Sequence, residues 1–223
     1  MKTFKALGAL LAYPESDIVA AVPEIEQVLR DERLLTPGTL TSLQALFGQL
    51  RGEDLMDLQE RYVGLFDRVR SLSLHLFEHV HGESRDRGQA MVDLQALYLR
   101  QGYALATEEL PDFLPAFLEF LSCVPIDEAR ELLADTAHLL ESIGARLAKR
   151  GSAYAAVFVG LLEIAGVQPS TVSVTDDDIR AEDDPAALDE IWREQPAFGP
   201  TAGCGTTAST HIAPVKFHKG VPA

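Results

Sequence analysis

The chain has 223 residues, 47% of them apolar, which is enough for one well-buried core and favours a single domain with an appendage over two domains. Thirty-four acids against nineteen bases give a formal net charge of −15, a field that repels nucleic acid and anionic membrane surfaces and favours basic partners. Cys123 and Cys204 have no metal-ligand spacing and lie far apart in the chain, so a reducing compartment, the cytoplasm, is the simpler expectation.

Lys2 and Lys5 beside the apolar run Ala6 to Tyr13 resemble a short secretory signal. Phe4, Leu7, Leu10 and Leu11 also form one face of a helix that Pro14 ends, and a packed first helix explains the same residues. Thr36-Pro37 supplies an N-cap and a first-turn proline for a later helix. Helical stripes then recur along the chain: Leu55, Leu58, Tyr62, Leu65 and Phe66, followed by Met91, Leu94, Leu97, Tyr98 and Leu105. A third contains Phe113, Leu114, Phe117, Leu118 and Leu121, and a fourth runs from Leu132 and Leu133 through Leu139, Leu140 and Ile143 to Leu147. Tyr154, Val157, Phe158, Leu161 and Leu162 make the fifth, with Asp127 placed to cap a helix from Glu128 and Gly166 to close the last one. Strand-like alternation is nearly absent. The run Tyr154 to Ile164 is interrupted by Glu163 and falls short of the roughly 20 apolar residues of a membrane span.

These stripes predict an all-α, single-domain bundle of about eight helices over residues 1–168. Residues 169–223 read as an acidic, Gly/Thr/Ala-rich C-terminal tail without a core of its own, expected to be largely disordered. Within it, Pro185 to Glu194 has the spacing of a short amphipathic helix around Leu188, Ile191 and Trp192, either loosely docked or a self- or partner-docking segment.

The strongest enzymatic pattern is His75-Leu76-Phe77-Glu78-His79, an H-x-x-E-H match to inverted zinc proteases. On a helix His75 and His79 would share a face and chelate zinc with Glu78 as base, giving a zinc-dependent hydrolase. The local apolar stripe Val69, Leu72, Leu76 and Val80 instead puts Glu78 on the solvent side, and only Glu141 or Glu163 offers a third ligand. Cys204, His211 and His218 match no common metal site. No phosphate-binding loop and no G-x-S-x-G elbow occurs, so no cofactor and no catalytic residue is assigned. His81 and the charged run Gly82 to Gly88 read as an inter-helix loop.

The element Tyr62-Val63-Gly64-Leu65-Phe66 and the longer stretch His75 to Gly88, H-x-x-E-H-x-H-G-E-S-R-D-R-G, closely resemble the NarJ-type nitrate reductase assembly chaperones. The first is shared with the wider TorD-like group of redox-enzyme maturation chaperones, and the second is far more specific. Glu109-Leu110-Pro111-Asp112-Phe113-Leu114-Pro115, with Glu119 further on, resembles the group's proline-acid element, although Phe113 stands where TorD relatives often carry histidine, which leaves the role of Asp112 open. Leu10-Leu11-Ala12-Tyr13-Pro14 also fits.

The resemblance implies a helical, non-enzymatic chaperone of the apo catalytic subunit of respiratory nitrate reductase. It would bind chiefly the client's N-terminal segment, promote molybdenum-cofactor insertion before membrane docking, and have molybdenum-cofactor biosynthesis proteins as further partners. A basic amphipathic client helix suits an acidic surface with apolar positions. The candidate peptide-binding residues are Tyr62, Leu65, Phe66, Asp67, Glu78, His79, Asp112 and Glu119; the apolar three could equally be core, and the acids solvated surface. His81, Gly82, Glu83, Arg85, Asp86, Arg87 and Gly88 form a candidate hinge or partner loop. The other readings are the zinc hydrolase and a helical scaffold kept soluble by its charge.

Overall fold

A computed structural model describes residues 1–81, 85–105 and 109–167, together with 174, 175 and 179. The tail segment Pro185 to Glu194, Cys204, His211 and His218 lie outside the described residues, as do Gly82, Glu83 and the side chain of Arg85.

The described chain is an all-α bundle. Its elements are α1 (Lys2–Leu11), α2 (Ser16–Glu32), α3 (Pro37–Gly52), α4 (Leu55–Tyr62), a π-turn (Val63–Asp67), a 3-10 turn (Arg70–Leu72), α5 (Leu76–His81), α6 (Arg85–Arg100), α7 (Leu114–Cys123), α8 (Ile126–Asp135), α9 (Ala137–Lys149) and α10 (Ala155–Ala165). Among the described residues no helix is long and apolar enough to cross a membrane.

α1 is the central strut. Phe4, Leu7, Leu10 and Leu11 are buried, and the helix packs on α7 and α2. Gly8 allows the close approach to α7: a Cβ there would lie 3.2 Å from the Pro115 carbonyl oxygen and 3.3 Å from Leu118 Cβ. α3 starts where its sequence signal places it, with Thr36 as N-cap and Pro37 in the first turn. Glu26 is buried between α2 and α3, where it meets Arg51 at 3.1 Å and accepts from Gln44 at 2.8 Å, while Arg30 reaches it from the next turn of α2. Gly166, with φ of 70°, closes α10.

Among the described residues ten α-helices stand where about eight are expected. The fourth stripe is broken in two at Thr136, whose buried hydroxyl donates to the Leu133 carbonyl at 2.8 Å and whose own N–H bonds the same oxygen at 3.1 Å. The helix assigned to start near Glu128 begins at Ile126 after Pro125, which places Asp127 in its first turn rather than at the cap. The run expected as a loop is also shorter than its composition suggests, because α6 starts at Arg85 and takes in Asp86, Arg87 and Gly88. Arg87 fixes that start: its guanidinium meets Glu78 of α5 at 3.2 Å.

The candidate site around Asp112

The two segments that carry the family resemblance meet at one buried carboxylate. Residues 74–76 and 112–114 form an isolated antiparallel bridge, with the Leu76 N–H donating to the Asp112 carbonyl at 3.0 Å and the Leu114 N–H to the Leu74 carbonyl at 2.8 Å. Asp112 has no solvent exposure. Its Oδ2 accepts the Phe77 N–H, an unpaired donor of the first turn of α5, at 3.0 Å, and its Oδ1 lies 3.3 Å from His75 Nδ1. One residue earlier, the Pro111 carbonyl accepts from the Tyr98 hydroxyl of α6 at 2.7 Å. A buried acid is tolerated because each oxygen has a partner.

The two histidines of the H-x-x-E-H pattern have different jobs. His75 precedes α5 and lies in the bridge, its ring 5.2 Å from that of Phe113. The hydrogen bond to Asp112 raises its pKa, against an opposing effect of burial. His79 lies inside α5 and its Nε2 is 2.8 Å from the Ser73 carbonyl, so Nε2 carries the hydrogen. Burial pushes its pKa down, although that hydrogen bond favours the charged form.

This arrangement overturns the zinc-hydrolase reading. It required both histidines on one helical face, and His75 is outside the helix with its Nδ1 on Asp112, while Nε2 of His79 is held by a carbonyl. Glu78 is only partly exposed and pairs with Arg87. The Glu163 carboxylate, named as a third ligand, accepts the Thr36 N–H at 2.6 Å and the Thr39 hydroxyl at 2.5 Å. Among the described residues, no group of three metal-binding side chains comes together.

A second cluster sits at the C-terminal end of α1. The Tyr62 hydroxyl donates to the Leu11 carbonyl, a free acceptor of the last turn of α1, at 2.9 Å. Its ring lies 4.9 Å from Phe66, 5.5 Å from Tyr13 and 6.4 Å from Tyr154, edge-on to the two tyrosines. Burial pushes the Tyr62 hydroxyl well above its ordinary pKa and that of Tyr154 up to about 12. The π-turn produces this packing: the Arg68 N–H reaches back to the Val63 carbonyl at 3.1 Å, which leaves Phe66 buried, Leu65 half-buried and Asp67 exposed.

The candidate residues therefore fall into two sets. Tyr62, Phe66 and Asp112 are buried and committed to partners inside the fold, with His79 mostly so. Leu65, Asp67, Glu78 and Glu119 reach solvent, Glu119 through an exposed pair with Lys5 at 2.7 Å. Both clusters border α1, which bonds Tyr62 through Leu11 and packs at Gly8 against Pro115, three residues past Asp112. Sequence reasoning missed Ser73, which acts through a backbone carbonyl, and Tyr98, whose stripe position hides its hydroxyl bond. Tyr13 and Leu110 are apolar groups left 41% and 43% exposed.

Residues 24–160 match the family described as nitrate reductase delta subunit, a span of more than half the chain. The chain belongs to that family. It is 42% identical, over 92% of its length and 88% of the relative's, to the nitrate reductase molybdenum cofactor assembly chaperone NarJ of Escherichia coli K12. It is 41% identical, over 87% of its length and 82% of the relative's, to the probable assembly chaperone NarW of the same strain. A probable NarJ of Bacillus subtilis is 29% identical over 75% of this chain and 92% of its own. The span matched to the delta subunit family contains the whole Asp112 junction and the π-turn, but starts after α1, which supplies Leu11 and Lys5.

Proposed function

We propose that the chain is a maturation chaperone of nitrate reductase, which holds the catalytic subunit while the molybdenum cofactor is inserted and takes no part in the chemistry of the finished enzyme. What carries this reading is its 42% identity, over 92% of its length, to a protein named for that task. The structure supplies a compatible surface. Asp112, His75 and Tyr98 are committed to bonds inside the fold, whereas Leu65, Asp67, Glu109, Leu110 and Glu119 keep contact with solvent.

The client segment we infer is the N-terminal stretch of the catalytic subunit, bound as a basic amphipathic helix. A net charge of −15 favours such a partner, and its apolar edge would cover Tyr13, Leu65 and Leu110. Action in the cytoplasm before membrane docking, with molybdenum-cofactor biosynthesis proteins as later partners, completes the proposal. Arg85 to Gly88 and His81 flank the α5–α6 connection, where a client could alter how α6 sits.

Calorimetric titration with a peptide from the N-terminus of the catalytic subunit tests it. Saturable binding is expected, weakened by added salt and by Glu119→Ala or Leu65→Asp. If neither the peptide nor the whole apo-subunit binds, the chaperone reading fails.

A further inference from the structure

A cleft of about 710 Å³ opens on the side of the bundle where the α2–α3 connection meets α10. Its walls combine Leu34, Pro37 and Leu40 with two cations, Arg30 and Arg33. Arg33 is exposed and closes α2 in the left-handed region, with φ of 54°, which turns the connection across the end of the helix. Glu163 of α10 is the acid at the rim, and its oxygens accept from Thr36 and Thr39, so that charge is turned toward the connection. α10 comes close at Gly160, where a Cβ would lie 3.3 Å from Leu35 Cδ2. The cleft thus joins apolar side chains to the exposed Arg33, with Arg30 paired to Glu26 at its edge.

We propose that the chain's own C-terminal segment, Asp176 to Glu194, docks in this cleft. The first argument is charge: this segment holds nine acids and two arginines, and the cleft offers Arg33, with Arg30, which already meets Glu26, beside it. The second is shape, because Leu188, Ile191 and Trp192 have the i, i+3, i+4 spacing of one helical edge, which matches a short apolar trough. The third is the tether. α10 ends at Ala165, about 3 Å of helix beyond Glu163, so the chain leaves the bundle beside the cleft. Leu188 follows about twenty residues later, and at roughly 3.5 Å per residue such a length reaches any part of this cleft. Linkage of this kind supplies an effective concentration on the order of millimolar, enough for a modest apolar contact to be occupied. The cleft lies on the α2–α3–α10 side, apart from the Asp112 junction, and its occupancy does not depend on the client reading.

Trp192 is the single tryptophan of the chain, so its fluorescence reports the segment alone. In the full-length protein its emission should be blue-shifted relative to the denatured chain, and acrylamide quenching should be at least about twofold weaker than for a free peptide of residues 176–194. Arg33→Glu combined with Leu34→Asp should restore free-peptide quenching, with far-UV circular dichroism unchanged to show that the bundle is folded. Added salt should move the parent in the same direction. Water-exposed emission in the parent would overturn the proposal. So would protection that survives the double variant, since the tryptophan would then be covered elsewhere. Protection that disappears on dilution would assign the cleft to the tail of a second copy and would also overturn it.

Discussion

His75 and Asp112, 37 residues apart in the chain, are paired side chain to side chain at 3.3 Å across the only bridge among the described residues. The carboxylate closes the first turn of α5, favours the charged form of the His75 ring and sits where α7 begins, so three elements depend on one buried group.

Asp112→Asn keeps an acceptor for the Phe77 N–H but loses the charge that holds His75. Removal of one partner of a buried charge-assisted bond costs about 1–3 kcal/mol, and Asp112→Ala, which also orphans the Phe77 N–H, should cost more. Urea midpoints measured for both variants at unchanged m-value test the order. Equal stability of Asp112→Ala and the parent would mean that the junction is ornamental.

The two histidines give opposite pH signatures. His75 has a raised pKa, so its stabilising contribution is full below the unfolded value, about 6.5, and is lost as pH rises through the folded value. His79 has a lowered pKa, so its contribution is full above that unfolded value and is lost as pH falls toward the folded one. His75→Gln should therefore cost more in mild acid than in mild base, and His79→Gln the reverse. Denaturant midpoints across that range check both signs, and parallel pH profiles for the two variants would refute the assignment.

The helical faces were readable because burial imposes a period on side-chain type: the stripes through Leu94 and Tyr98, or Leu140 and Ile143, are buried as expected. Thr36-Pro37 and Gly166 were readable because a cap is a local event. What stayed hidden is non-local or carried by the backbone. No spacing rule links His75 to Asp112, and the Ser73 carbonyl that holds His79 has no side-chain signature. The H-x-x-E-H pattern misled because it presumed a continuous helix, and α5 starts one residue after its first histidine.

Tyr62 is a poor probe of client contact, because the structure uses it. Tyr62→Phe should cost about 1 kcal/mol for the bond to Leu11, and Tyr62→Ala about 3–5 kcal/mol for the cavity among Phe66, Tyr13 and Tyr154. Thermal or urea unfolding measures both. Loss of client binding in Tyr62→Ala would then follow from unfolding as readily as from a lost contact.

Glu119→Ala is the cleaner variant. Its pair with Lys5 is exposed on both sides, at 60% and 67%, and exposed pairs are worth about 0–1 kcal/mol, so stability should barely change. A client affinity that falls while the urea midpoint holds would assign Glu119 to the interface. An unchanged affinity would remove it.

Two glycines in helix interiors should respond to alanine with opposite signs. Gly48 of α3 has nothing within 4 Å of an added Cβ, so Gly48→Ala gains helix propensity alone and should stabilise by about 0.5–1 kcal/mol. At Gly144 of α9 the added Cβ would sit 2.9 Å from Phe158 Cβ, an atom fixed to the α10 backbone rather than the end of a flexible side chain. The two helices must separate to accept it, and overpacking of that kind costs about 1–3 kcal/mol, more than the propensity gain. Unfolding midpoints for the pair measure how tightly α9 and α10 are docked, and a stabilising Gly144→Ala would mean that the contact yields.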